Sequence, residues 1–103
     1  MLESNYDMDL LQRNVKYPDW LKRRITGGNG HMSNVACARA IYALSQMGVQ
    51  QIICAHLSHD NNSPNIAFDT IKNILAEKGI EEGRDIHIDI ALQDAIGNVF
   101  QID

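Results

Sequence analysis

Two histidines lie at points where the character of the sequence changes. His31 follows the glycine-rich run 27–30 and precedes an alanine-rich segment, whereas His56 closes an apolar stretch 25 residues later. An imidazole can bind a metal ion or transfer a proton near neutral pH, so the two are candidates for metal binding or catalysis. The alternative is structural, because a histidine at a strand end often just makes a hydrogen bond, and His31 could simply close a turn.

The segment after His31 has the pattern of an amphipathic helix. Ser33 is a favourable N-cap residue, and Cys37, Ile41 and Leu44 recur at spacings of four and three, with alanines between them that favour helix. Gly48 predicts the end of this helix, because helices commonly end at a glycine in the left-handed conformation. His31 is therefore expected just ahead of a helix N-terminus.

His56 is expected at the end of a buried strand. The strand is predicted over residues 51–57, whose apolar run is typical of a strand covered on both faces. After a polar loop, Ser63 is predicted to cap a second helix, with Pro64 at its first position and Gly79 after its last turn. The buried stripe of this helix is predicted to consist of Ile71, Ile74 and Leu75.

The remaining segments complete an α/β pattern. Residues 8–14 and 20–25 predict two short helices, the second capped by Asp19. Residues 86–92 alternate apolar and polar side chains, which predicts a strand with one buried face. A turn and a last short strand are predicted at 97–98 and 99–102. The order helix, strand, helix, strand implies a βαβ crossover with parallel pairing.

This architecture would bring the candidate residues to one edge of the sheet. Binding sites in open α/β sheets gather beyond the carboxyl ends of the strands. Helices that begin near Ser33 and Ser63 would offer unpaired N–H groups to an anion, such as a phosphate, in the crevice beside His56. The basic run 22–24 could contact phosphates if it lies near His31, although such a run is usually a solvated helix face.

Composition excludes several classes of protein. The chain of 103 residues is long enough for one domain, and its net charge of −4 argues against a general nucleic-acid coat protein. No apolar run reaches the length needed to span a bilayer, and no secretory leader is recognisable. Cys37 and Cys54 have no CxxC partner motif, so free buried thiols in a reducing, cytoplasmic compartment are expected.

Several separated motifs resemble one known family. They are Leu2–Asp7, Tyr17-Pro18, Leu21–Ile25, Gly30–Asn34, Ala55–Ser58 and Asn61-Asn62. In this order they are similar to the C-terminal half of metallo-β-lactamase-fold hydrolases, and within these to the YycJ/WalJ-like predicted phosphodiesterases or exonucleases. Tyr6 departs from the pattern, because the subgroup often has a histidine there.

The resemblance implies a fold and a site. The fold would be the C-terminal half of an αββα sandwich, a mixed sheet with flanking helices, so that residues 1–103 form a single incomplete domain. The complete protein would hold two divalent metal ions, zinc or manganese, that activate water for attack on a phosphodiester bond of nucleic acid. His56 matches the last metal ligand, and His31 matches a catalytic histidine that would donate a proton to the leaving oxygen or contact the scissile phosphate. Substrate-binding residues would be Ser33, Asn34, Ser58, Asn61 and Asn62.

The HxHxDH motif that supplies most metal ligands in this superfamily is absent from the sequence. His59 and His87 are expected at the surface, and one imidazole cannot hold a catalytic zinc, which normally has three protein ligands. We therefore expect the chain alone to be inactive and to bind no metal stably. The segment 2–5 is expected to end a strand whose earlier part is missing, so the partner would be the absent N-terminal half.

Further expectations and alternatives follow from the resemblance. An exposed apolar sheet face would favour self-association of the fragment. Instead of an enzyme fragment, the chain could be a free-standing, non-catalytic α/β module that binds an anion or a partner at its helix N-termini. Within the superfamily, thioester or lactam hydrolysis is the alternative to phosphodiester hydrolysis, and the basic run 22–24 favours phosphate.

Overall fold

The computed structural model describes residues 1–28 and 30–91. Within them, three strands and four helices follow one another: β1 (Leu2–Glu3), α1 (Met8–Arg13), α2 (Asp19–Thr26), α3 (Asn34–Gln46), β2 (Gln51–Ala55), α4 (Pro64–Glu77) and β3 (His87–Ile90). Each helix and strand predicted from the sequence over this part of the chain is present, although two strands are shorter than predicted: β2 ends at Ala55 and not at residue 57, and β3 spans His87–Ile90 within the predicted 86–92. The predicted turn 97–98 and strand 99–102 lie outside the described residues.

The strands form one parallel sheet in the order β1-β2-β3. Leu2 is paired with Cys54, and Ile52 with Ile88. Successive parallel strands that advance in one direction across a sheet place their right-handed crossover helices on the same face, and α3 and α4 do pack against each other. The α/β class with parallel pairing is confirmed, whereas the second sheet and the mixed pairing of a sandwich stay predictions.

Side-chain caps define where the two long helices begin. The Ser33 hydroxyl accepts a hydrogen bond from the Ala36 amide at 3.0 Å, and the Ser63 hydroxyl accepts one from the Ile66 amide at 3.1 Å. Both predicted caps are confirmed. The predicted cap of α2 is wrong, because Pro18 occupies the N-cap position with no side-chain hydrogen bond, and Asp19 is the first helical residue.

The hydrophobic core lies between the sheet and the two long helices. Its buried members are Cys37, Ala38, Ile41, Ile52, Cys54, Ile71, Leu75, Ile86 and Ile88. The two cysteines are free, as predicted, and their sulfur atoms lie 3.8 Å apart between α3 and β2. The hydrogen bond to Cys37, together with burial, raises the pKa of the Cys54 thiol.

The opposite face of the sheet is not uniformly apolar. Gln51 and His87 are exposed partners on that face, and the partly buried Ile53 is paired with Asp89. A second sheet packed there would have to accommodate this polar pair, which weakens the physical basis for self-association. Self-association stays a prediction. None of the helices in the described ranges is both long and apolar enough to cross a membrane.

Candidate functional site

His56 immediately follows β2, which ends at Ala55 and not at residue 57 as predicted. The reason is a change in backbone direction, because His56 has a φ angle of 60°. This left-handed conformation is unfavourable for a residue with a Cβ and is found disproportionately at functional sites. The Asn5 side-chain amide donates a hydrogen bond to the His56 carbonyl at 2.6 Å and so helps to hold this conformation.

Both candidate histidines lie beside one carboxylate, that of Glu3. The Nδ1 atom of His31 is 3.1 Å from a Glu3 carboxylate oxygen, and the Nδ1 atom of His56 is 3.6 Å from the same oxygen. The side chains of the histidines are 53% and 61% exposed, whereas Glu3 is 25% exposed. The structure therefore brings the two imidazoles together at the carboxyl edge of the sheet, where both can meet a ligand from solvent.

Sequence reasoning missed Glu3, although a signal for it was present. Glu3 ends the short strand β1 and is paired with Ala55, so the parallel register places it one residue from His56 in the neighbouring strand. Its other carboxylate oxygen accepts a hydrogen bond from the Met32 amide at 2.7 Å, which fixes the carboxylate against the loop that carries His31. A carboxylate at the expected end of a strand was the signal in the sequence, whereas the closeness of Glu3 to the histidines follows from the strand register alone.

A buried polar network lies next to the carboxyl edge of the sheet, where Ser4 follows β1. Asn34 and Asn62 exchange two hydrogen bonds through their side-chain amides, each at 2.9 Å. Ser4 donates its hydroxyl hydrogen to the Asn34 side-chain oxygen, and the Ser4 carbonyl accepts a hydrogen bond from Asn62 at 3.0 Å. Asn34 is 1% exposed and Asn62 is 7% exposed, so the structure shows these two side chains bonded inside the protein. Their predicted contact with substrate stays a prediction.

A second set of hydrogen bonds joins the loop after β2 to the N-terminal segment. The Asn61 side-chain oxygen accepts a hydrogen bond from Asn14 at 2.8 Å, and the Asn61 carbonyl accepts one from the Asp7 amide at 2.7 Å. The Ser58 amide donates to the Asn5 carbonyl at 2.7 Å, and the Ser58 hydroxyl accepts from the Asn61 amide at 3.2 Å. Of the predicted substrate-binding residues here, Ser58 is partly exposed and Asn61 is buried.

Tyr6 and Ser33 join this buried layer from the other side. The Asn34 amide donates a hydrogen bond to the Tyr6 carbonyl at 2.9 Å, and the Tyr6 side chain is buried. Burial raises the pKa of the Tyr6 hydroxyl, although the neighbouring Ser33 hydroxyl acts in the opposite direction. Tyr6 therefore stays neutral at physiological pH. This layer thus contains a neutral phenol at the position where the subgroup that the sequence resembles often has a histidine.

Two clefts adjoin this edge of the sheet. One, of about 260 Å³, lies at the start of α4 and is lined by Ser58, His59, Asn62 and their neighbours. The other, of about 200 Å³, lies between α2 and the loop that carries His31. His31 lines the second cleft with Arg24, so part of the basic run 22–24 does lie near the histidine. This closeness was the condition for the basic run to contact a phosphate beside His31.

The residues described do not form a complete metal site by themselves. Over 1–28 and 30–91, no cluster of three or more histidine, cysteine or acidic side chains could hold a metal ion. Glu3 interacts with the Nδ1 atoms of both histidines, which leaves the Nε2 atom of His56 as the nitrogen able to bind a metal. The other ligands would have to come from outside these residues.

Comparisons with known proteins identify similar sequences. The chain is 36% identical over 88 residues to the exodeoxyribonuclease YycJ of Bacillus anthracis, a match that covers 85% of this chain and 33% of that protein. It is 33% identical over 88 residues to the exodeoxyribonuclease WalJ of Streptococcus pneumoniae, in both strain D39 and strain R6, a match that covers 32% of those proteins.

These matches confirm that the sequence is YycJ/WalJ-like, as its motifs predicted. The chain spans about a third of the length of the curated relatives it matches. No family model matches the chain. No solved structure matches it.

Proposed function

We propose that this YycJ/WalJ-like chain is part of a metal-dependent hydrolase that cleaves phosphodiester bonds of DNA. The observation that carries the proposal is the meeting of His31, Glu3 and His56 beyond the carboxyl edge of a parallel sheet. The names of the similar proteins support the substrate class and favour it over thioester or lactam substrates. The chain would form the C-terminal half of the metallo-β-lactamase αββα sandwich.

In this proposal His31 is the general acid of the reaction. Its Nδ1 atom faces the Glu3 carboxylate, so the proton on the other nitrogen, Nε2, is the one available to a leaving oxygen. Glu3 would fix the tautomer and the orientation of the His31 ring through its contact with Nδ1. Because His31 is about half exposed, its ring is accessible to a substrate strand from solvent.

His56 would contribute one ligand to a metal centre that the rest of the protein completes. The bound zinc or manganese ions would supply activation of water, while the Asn5 side chain, which donates a hydrogen bond to the His56 carbonyl at 2.6 Å, would help to position His56. The predicted substrate contacts of Ser33, Asn34, Ser58, Asn61 and Asn62 remain part of the proposal. The same proposal places the protein in the cytoplasm, where its DNA substrate is present and the Cys37 and Cys54 thiols stay reduced.

Cleavage of a labelled single-stranded oligonucleotide tests this function. The assay uses the polypeptide encoded by the complete reading frame that contains this chain, with manganese or zinc added. We expect His31→Ala and His56→Ala to lower kcat by at least about a hundredfold, because general acid catalysis and metal binding each contribute at least that much. His87→Ala, an exposed histidine on β3, is the matched control and should retain full activity. Full activity in both site variants would refute the proposal.

Metal binding by the isolated chain is a separate test. Calorimetric titration of the 103-residue chain with zinc or manganese should show no tight stoichiometric binding, because His56 alone is too few ligands. Tight binding of one or two ions per chain, abolished by His56→Ala, would mean that the chain builds its own metal centre.

A further inference from the structure

The face of α2 that leads to His31 is the candidate surface for a substrate. Trp20 and Arg24 are four residues apart, so both lie on one face of α2, about 6 Å apart along the helix axis. Trp20 is 59% exposed, and α2 buries none of its residues. Trp20 offers an exposed aromatic ring for stacking, and Arg24, one turn further along the helix, offers a guanidinium in the cleft that it lines with His31.

Arg24 reaches this position because of Gly30. A Cβ atom at Gly30 would overlap the carbonyl oxygens of Ile25 and Arg24, so only glycine lets the loop pass this close to the last turn of α2. The His31 amide then donates a hydrogen bond to the Ile25 carbonyl at 2.9 Å. Through these contacts the loop and the helix form the cleft of about 200 Å³ that Leu21, Arg24, Ile25, Gly30 and His31 line.

The three basic residues of α2 are not equivalent. Lys22 donates a hydrogen bond to the Gln12 carbonyl at 2.8 Å and lines a different cleft with Arg23. Asp19 also lines that other cleft, so its carboxylate opposes binding of an anion there. Among the residues that the structure describes, no carboxylate lines the cleft of Arg24. The Glu3 carboxylate lies 3.1 Å from the Nδ1 atom of His31, so it opposes an anion at that end of the cleft. Charge therefore favours an anion at the Arg24 end of this cleft and not beside Arg23.

We infer that the cleft between Arg24 and His31 binds a backbone phosphate of single-stranded DNA, and that Trp20 stacks on a base of the same strand. This inference rests on the proposed function and adds the path of the substrate to it. Single-stranded DNA suits the surface because its unpaired bases can stack on an exposed aromatic ring, while a guanidinium binds phosphate oxygens with two parallel hydrogen bonds. The strand would run along α2 toward His31.

Binding of labelled oligothymidylate to the 103-residue chain tests the inference without any cleavage step. Fluorescence anisotropy at low salt should show Arg24→Gln binding about five- to tenfold more weakly than the unmodified chain, and the slope of log affinity against log salt should fall by about 0.7. Arg23→Gln is the matched control, since it removes the same charge one position away, and its affinity should stay within about twofold. Circular dichroism verifies that all variants are folded.

The fluorescence of Trp20 supplies an independent measurement, because the chain contains one tryptophan. Stacked bases should quench it in the unmodified chain and in Arg23→Gln, and a higher DNA concentration should be needed for quenching in Arg24→Gln.

Equal affinities of the two arginine variants, or no binding by the unmodified chain at low salt, would overturn the inference. Neither result would bear on the cleavage assay of the complete protein with His31→Ala and His56→Ala, so failure of the binding path and failure of the proposed function are distinguishable.

Discussion

Two regions near the candidate site are built in different ways. We call the buried hydrogen-bonded layer of Ser4, Asn34 and Asn62 the floor, and the exposed helix α2 the wall. The floor has its side-chain polar atoms paired inside the protein, whereas the wall buries none of its residues. Substitutions in the floor should therefore change the stability of the fold, and substitutions in the wall should change binding alone.

Among the residues around the candidate site, the largest effect is expected at Asn34. Asn34→Ala would remove three hydrogen bonds and leave polar atoms of Ser4 and Asn62 buried without full pairing, which costs about 2–3 kcal/mol of unfolding free energy. Urea denaturation would measure it. Asn73→Ala, an exposed asparagine in the middle of α4, is the matched control and should cost nothing, because alanine favours helix. Similar losses in the two variants would mean that the floor is not a special contributor to stability.

Gly30 contacts the last turn of the wall, and its substitution is expected to have the second-largest effect on stability. Gly30→Ala should cost about 1–2 kcal/mol, because the overlapped atoms belong to the backbone of α2 and cannot move aside as a side chain would. Gly28→Ala introduces the same methyl group where no atom lies within 4 Å, so its stability should be almost unchanged. Thermal unfolding of the pair would show the difference, and an equally stable Gly30→Ala would contradict the close contact.

The sequence predicted most of the elements but not the contacts between them. Periodicity, caps and glycines located α3, β2 and α4 because these are local signals, and parallel pairing followed from their order. Glu3 was missed because its role depends on the register between β1 and β2, which the short sequence of β1 does not specify. The predicted cap at Asp19 was wrong because Pro18, one residue earlier, already has the extended backbone that an N-cap position needs.

The burial of the asparagines also could not be predicted from the sequence. A pair such as Asn61-Asn62 in a polar loop has the pattern of a surface turn. Asn62 belongs to the floor because the folded chain brings it within hydrogen-bonding distance of Asn34, which the sequence does not show. The resemblance to a family located these positions as important. It did not show that Asn34, Asn61 and Asn62 are buried and hydrogen-bonded within the protein.

The backbone of His56 offers a smaller test at the edge of the floor. Its φ of 60° should make His56→Gly more stable than His56→Ala by about 1 kcal/mol, because glycine adopts this conformation without strain. The order should be reversed at His87, which lies in β3, where glycine weakens a strand. Chemical denaturation of the four variants gives the comparison, and the same order at both positions would show that His56 is not strained.

The smallest effect on stability is expected at Trp20. This effect tests whether the wall is an exposed surface that does not support the fold. Tryptophan is the largest side chain, and its removal from a core costs several kcal/mol, so a small cost would be informative. Because Trp20 is 59% exposed, Trp20→Ala should lower the unfolding free energy by less than about 0.5 kcal/mol, whereas Leu11→Ala in α1, where the side chain is fully buried, should cost about 2–5 kcal/mol. Thermal unfolding followed by circular dichroism measures both. A loss of 2 kcal/mol or more for Trp20→Ala would show that this ring supports the fold, and the wall would then be part of the structural core and not a surface kept for binding.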